Sequence, residues 1–440
     1  LEIPIYWEQF EPEPGAFDTS VVDTILEQAR SHQVRVILLW FATWKNGSPN
    51  YAPLWMKAQP DRYPRVVGKD GRRVNSLSPH GTATLEADIR AFRALMRHLR
   101  EKDPQRTVIM VQPQNEPGTW GSVRDYSPAA QQQFESPVPV TALRAMGREH
   151  MAGSNWDAAF ARDADEYFHA WSVASYIGQV AAAGKEEYPL PMLVNTALRD
   201  PLSPPPATHY QSGAPTDNVL ALWKAAAPAV DVLAPDIYLP EFAQYRRICE
   251  LYSRPDNPLL IPETANNPAF ARYFFLALGH GAIGWAPFGI DYTGYNNAPL
   301  GGDTGSREKL EPFALNYRIV GPMMREVARL NFEGRLKATA EQKGEPVQVL
   351  DFGKWRAVVT YGLPFFGFAT GAKGNPEPIG RALVAQLADD RFLVAGAHCR
   401  VDFELADTSQ YQRLYLRVEE GRYVDGRFQT RRLWNGDQTD

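Results

Sequence analysis

Cysteine is nearly absent from the 440-residue chain, which has only Cys249 and Cys399. At most one disulfide can form, so no disulfide framework organises the fold and cysteine usage does not reveal the compartment. Basic charge is not in excess either. Lys and Arg total 46 against 51 Asp and Glu, a formal charge of -5, which leaves nothing to hold a nucleic acid backbone. No uninterrupted apolar run approaches the roughly 20 residues that span a bilayer. The histidines (His32, His80, His98, His150, His169, His209, His280 and His398) show no metal-ligand spacing, and no cysteine pair supports a zinc site. Neither a metal nor a cofactor is expected. A phosphate-cradling Gly-Lys-Ser/Thr and a Gly-x-Ser-x-Gly elbow are both missing, so nucleotide hydrolysis and serine esterase chemistry lack a starting point.

What is present is apolar and aromatic. The chain is 44% hydrophobic and 12% aromatic, with 11 Trp, 19 Tyr and 21 Phe. That is enough for a large core divided into two domains, since single cores stop growing near roughly 250 to 300 residues. The aromatic rings fit core packing first and are only a weak hint of stacking on the apolar face of a pyranose.

Up to about residue 330, short Val/Ile/Leu-rich runs alternate with amphipathic helical stretches, the pattern of β-α units around a parallel sheet. Candidate strands cover 2–6, 35–41, 107–114, 191–197, 231–238, 258–263 and 282–288. Helical spacing recurs in Val21, Val22, Ile25, Leu26 and Ala29 after a cap at Asp18 or Thr19, in Leu85 to Leu99, and in Tyr167 to Val180. Further helices fit 216–227, 241–252, 268–278 and 309–329. Seven strands are one short of a closed barrel. The expectation is therefore an α/β fold, a (β/α)8 TIM barrel over residues 1–330 whose first strand and helix precede Leu1. After Leu330 the runs become short and β-branched, as in 347–350, 355–359, 382–387, 391–395 and 413–418, with Asp389-Asp390 as a hairpin turn. They predict an antiparallel β-sandwich over 331–440.

Two glutamates close apolar strands, Glu116 in Val111-Gln112-Pro113-Gln114-Asn115-Glu116-Pro117 and Glu263 in Leu259-Leu260-Ile261-Pro262-Glu263. The carboxyl ends of barrel strands are where such enzymes keep their catalytic groups. A pair of carboxylates there is what glycosidic bond cleavage needs, one as acid and one as nucleophile or base. Either residue alone would read as readily as a turn or a salt-bridged rim carboxylate. Tyr238, closing Asp236-Ile237-Tyr238, is placed to orient Glu263 through its hydroxyl, and Trp285 in Gly284-Trp285-Ala286-Pro287 to form a floor under a sugar.

These motifs, with Pro4-Ile5-Tyr6-Trp7-Glu8-Gln9-Phe10-Glu11-Pro12 at the start, resemble glycoside hydrolase family 35, the retaining β-galactosidases of clan A. The resemblance covers residues 1 to about 330. It implies that Glu116 is the acid/base, Glu263 the nucleophile and Asn115 the partner of the galactose 2-hydroxyl, with Tyr6 contacting the sugar. It also implies a bacterial enzyme of polysaccharide degradation, periplasmic or secreted. Many members carry a glutamate after Ala in the third-strand loop, where this chain has Ala42-Thr43-Trp44-Lys45. Trp44 and Lys45 are the candidate substrate contacts there, Lys45 replacing the missing hydrogen-bonding capacity. The expected activity is hydrolysis of terminal β-D-galactosyl residues by double displacement on a carbohydrate substrate, with a homo-oligomer possible. Two alternatives stand beside it: a clan A β-glycosidase for gluco- or manno-configured chains, which Thr43 favours, and a barrel that binds polysaccharide without cleaving it.

Overall fold

The computed structural model describes residues 1–290, 306–362, 371–407 and 413–435. All seven expected barrel strands form: β1 Glu2–Tyr6, β2 Val36–Lys45, β3 Val108–Asn115, β4 Leu193–Ala197, β5 Val232–Ile237, β6 Leu260–Thr264 and β7 Gly284–Pro287. Helices alternate with them, among them α1 Ser20–Ser31, α2 Thr82–Lys102, α3 Ala164–Glu187 and α4 Phe242–Tyr252. The chain divides into two compact units, Leu1–Ile237 with Arg254–Pro262, and Tyr238–Ser253 with Glu263–Asp440.

In the first unit β1, β2 and β3 pair in parallel, as do β4 and β5, and a parallel bridge from Val111 to Met192 joins β3 to the start of β4. Helix α1 buries Val22, Leu26 and Ala29 at helical spacing. Asp18 takes the Ser20 N–H at 2.9 Å, so the capping oxygen comes from Asp18 and not from Thr19. Helix α2 buries Phe92, Leu95, Met96 and Leu99 completely, each stabilising the fold by roughly 1.5–3 kcal/mol. It also buries Thr84 and Asp88, which the apolar pattern does not announce. Between Trp40↔Pro113 and Lys45↔Asn115 the β2–β3 register slips, so Phe41 to Trp44 face Gln114 alone. That bulge sets Lys45 beside Asn115.

In the second unit the expected helix over 309–329 is broken. Arg307–Val320, which accommodates Pro312, gives way to a 3-10 turn at Gly321–Met323, where Pro322 has no N–H to offer the ladder, and the chain resumes as Met324–Phe332. Two three-stranded antiparallel sheets follow, one of Leu336–Ala340, Arg381–Ala388 and Arg391–Ala397, the other of Val347–Phe352, Trp355–Tyr361 and Cys399–Leu405. Val359, Tyr361 and Ala382 form a core cluster against Leu350, Cys399 and Val401. Asp389-Asp390 turns the hairpin as expected. The run 413–418 is corrected: only Val418 begins a strand, at the head of the ribbon Val418–Val424 with Arg427–Trp434. Residues in that run bond by side chain instead, Arg413 to the Phe403 carbonyl at 2.9 Å and the Tyr415 hydroxyl from the Phe403 N–H at 3.2 Å. Buried Arg381 ties this part to the preceding helix through Asn316 at 2.6 Å and the Pro312 carbonyl at 3.1 Å. Both cysteines are free thiols.

Candidate active site

Two prolines and a bulge shape the end of β3. Gln114 and Glu116 both adopt positive φ, +75° and +42°, a region non-glycine residues rarely enter, and Glu116 also precedes Pro117, which narrows its choices further. Strain of this kind persists where the surroundings over-determine it, and here they do. The Glu116 N–H donates to Asn195 Oδ1 at 2.8 Å, while its carbonyl accepts from the Gly47 N–H at 2.9 Å and from the Gln211 amide.

Asn195 on β4 is the hub of this arrangement. Its Nδ2 donates to Asp236 Oδ2 at 2.8 Å and reaches Asn115 Oδ1 at 3.3 Å. Asn115 Oδ1 also accepts from Gln112 Nε2 at 3.2 Å, and Asn115 Nδ2 donates to Asn46 Oδ1 at 3.2 Å. Every member except Asn46 is at least nine-tenths buried, so each bond fixes a group that has no water to fall back on. Asn115 and Glu116 thus stand on a frame of amides from the turn after β2, from β3 and from β4, with the Asp236 carboxylate of β5 behind it.

Behind the strand ends lies a second polar cluster. Asp88, wholly buried on α2, accepts from Trp40 Nε1 at 2.9 Å, Thr43 Oγ1 at 2.7 Å, Gln114 Nε2 at 2.6 Å and the Tyr176 hydroxyl at 3.3 Å. Burial pushes its carboxyl up to about 6, and the four donated bonds hold it from rising further. Gln114 Oε1 in turn accepts the Trp44 N–H at 3.0 Å, so one carboxylate locks the β2 bulge to the strained end of β3.

In the second unit the Tyr238 hydroxyl donates to Glu263 Oε2 at 2.7 Å, as its place at a strand end predicts. Trp285 donates to the Tyr245 hydroxyl at 2.9 Å, which reaches Thr264 Oγ1 at 3.3 Å. The Trp285 ring stacks on Phe313 and meets Phe274 edge-on, and 8% of the residue is exposed. It braces the residue after Glu263 and offers little face for a sugar.

Tyr6 is partly buried and stacks on Tyr51 with centroids 4.5 Å apart. Lys45 lies over the Phe41 ring and donates to Asn46, beside Asn115. Trp44 does not serve as a sugar contact: it is fully buried, donates to Ser76 Oγ at 3.1 Å and packs edge-on against Tyr176. Thr43 likewise points at Asp88, toward the helices. Asn46, Gln112, Asn195 and Asp236 were not among the sequence candidates. Asn195 in Leu193-Val194-Asn195-Thr196 and Asp236 in Leu233-Ala234-Pro235-Asp236 carry the available signal, a polar residue where an apolar strand runs out.

A family model described as Beta-galactosidase, glycoside hydrolase family 42, matches residues 4–175, and one described as a domain of unknown function (DUF5597) matches residues 313–440. No curated protein matches the chain. Among solved structures it is similar to the β-galactosidase of the psychrophilic Marinomonas ef1, at 14% identity and TM-score 0.55 over 76% of this chain and 57% of that one. The β-galactosidase of Bacillus circulans sp. alkalophilus matches at 14% identity and TM-score 0.52 over 74% and 52%, and the β-amylase catalytic domain of Paenibacillus polymyxa at 12% and 0.51 over 72% and 90%. The chain spans about half the length of the solved β-galactosidases it matches. The fold is that of the TIM-barrel glycoside hydrolases, followed by an all-β C-terminal part. Within residues 4–175 the chain is similar to the β-galactosidases of family 42, and not to the family 35 of the sequence resemblance. The motifs that carried that resemblance, Asn115-Glu116 and Pro262-Glu263 among them, are short strand ends and do not separate family 35 from family 42.

Proposed function

We propose that the protein is a retaining β-galactosidase hydrolysing terminal β-D-galactosyl residues, with Glu116 as acid/base and Glu263 as nucleophile. The observation that carries the reading is the 2.7 Å bond from the Tyr238 hydroxyl to Glu263, which fixes the plane of a strand-end carboxylate as an attacking group requires. The family model over residues 4–175 supports the choice of glycone.

A Glu263 oxygen attacks the anomeric carbon while the glycosidic C–O bond breaks and Glu116 gives its proton to the departing oxygen. The product is a glycosyl ester on Glu263. Water then attacks that ester, Glu116 takes a proton from it, and the Glu263 carboxylate leaves with net retention. Such a mechanism asks for carboxyl groups roughly 5 Å apart. Asn115, its amide oriented by Asn46, Gln112 and Asn195, is the partner for the 2-hydroxyl. The gluco- or manno-reading drew on the glutamate that Thr43 replaces; the Thr43 hydroxyl is committed to Asp88 and does not stand in for it, so the choice of galactose leans on the family model.

The test is hydrolysis of an aryl β-galactoside followed by NMR of the first-formed anomer. The expected result is β-galactose from the wild type, a loss of at least about a thousandfold in Glu263→Ala, and partial rescue of that variant by azide as the α-galactosyl azide. Glu263→Ala with wild-type turnover would end the proposal, as would inverted product.

A further inference from the structure

We propose that Trp120 is a sugar-stacking platform for the leaving group, so that the preferred substrates are β-galactosides whose aglycone is itself a pyranose ring. This deepens the reading above and rests on Glu116 as the acid.

Residues 111 to 119 are buried without interruption, and Trp120 then emerges 48% exposed. It is the one tryptophan of the first unit left more than a third exposed. A half-exposed indole leaves apolar area in water that burial would reward at roughly 25 cal/mol per Å², and its flanking backbone is tied down. Thr119 and Ser212 exchange backbone bonds of 2.8 and 3.1 Å, His169 meets the Thr119 hydroxyl at 2.9 Å, and Gly118 and Gly121 turn the chain at φ +120° and +81°.

The ring rests on a tight turn. Lys45 and Ser48 exchange backbone bonds of 2.8 and 3.1 Å around Asn46 and Gly47, at φ +54° and +73°, the Asn-Gly pairing that two positive φ angles favour. A Cβ on Gly47 would stand 3.2 Å from Trp120 Cδ1, so glycine there lets the ring approach. The same turn sends Asn46 to Asn115 and the Gly47 N–H to the Glu116 carbonyl. One turn therefore joins the exposed ring to both strand-end residues. An acid protonates the oxygen that departs with the leaving group, so the segment running on from Glu116 to Trp120 borders the leaving group, while Asn115 on the other side of Glu116 meets the galactosyl ring. An exposed, immobilised aromatic face there suits the apolar face of a second sugar.

The experiment compares kcat/KM of wild type, Trp120→Ala and Trp120→Phe on lactose and on β-galactosyl fluoride, whose leaving group has no ring. In Trp120→Ala the lactose value should fall about tenfold further than the fluoride value, chiefly through KM, and Trp120→Phe should recover part of it. Equal losses on both substrates would overturn the proposal. If the wild type cleaves neither, the galactosidase reading fails on its own and the platform is read by titrating lactose and cellobiose against indole fluorescence. A saturable change present in the wild type and absent in Trp120→Phe supports it; no change in the wild type overturns it.

Discussion

Glu116 and Glu263 each stand at the end of a parallel strand, yet the chain holds them by different means. Glu116 is gripped through its own main chain, by Asn195 at the N–H and by Gly47 and Gln211 at the carbonyl. Glu263 is met at its side chain by the Tyr238 phenol, with Tyr245 and Trp285 bracing the next residue. The first arrangement suits a carboxyl that must give and take a proton in one place through two steps. The second suits a carboxylate whose plane must face a carbon. A main-chain frame is cooperative and costly to break, whereas a side-chain contact tunes one group.

The largest expected effect separates these two modes. Asn195→Ala removes three bonds at once and leaves the buried Glu116 N–H without that acceptor, a loss of about 4 kcal/mol in stability by summing roughly 1–3 kcal/mol per orphaned group. Turnover should fall about a hundredfold as well, measured by urea denaturation beside steady-state kinetics. If Asn195→Ala lost activity with its stability intact, the frame would be a catalytic contact and not a scaffold.

Asp88 gives the next effect, through pH. Its carboxyl rises from 3.8 to about 6 in the folded chain, so between those values the native state holds a proton that the unfolded state has released. Stability therefore falls as pH rises from about 4 to 6, by about 3 kcal/mol, and is level above. Asp88→Asn should flatten that window in denaturation curves taken from pH 4 to 7. A slope unchanged in the variant would assign it to other groups.

Tyr238→Phe should give the smallest change, about a tenfold loss in kcat/KM from one bond worth about 1.5 kcal/mol. Its melting temperature should stay within a degree or two, because Tyr238 is not deeply buried. A large drop in melting temperature would make this side structural as well and erase the contrast.

The strands and most helices were legible in the sequence because apolar period is local: Val22, Leu26 and Ala29 announce α1 from ten residues. Glu116, Glu263 and Tyr238 were legible because a polar residue closing an apolar strand points to the rim. The amide frame was not, since Asn195 lies 79 residues from Glu116 and nothing nearby in the chain reveals their bond. Trp44 and Trp285 misled for the opposite reason. Tryptophan beside a site reads as a sugar platform until burial shows its faces taken. Residues 413–417 read as a strand on composition, while side-chain bonds from Arg413 and Tyr415 replace the ladder.

Because Asn195, Gly47 and Gln211 grip Glu116 at main-chain atoms, that part of its address does not depend on what the side chain carries. Position 116 is in effect a socket. Cysteine, glutamine or aspartate placed there would inherit the same coordinates, whereas valine, isoleucine or threonine would resist the +42° φ. Glutamine in that socket would keep the main-chain bonds while removing the proton that position 116 is proposed to give, which separates the place of the group from its chemistry.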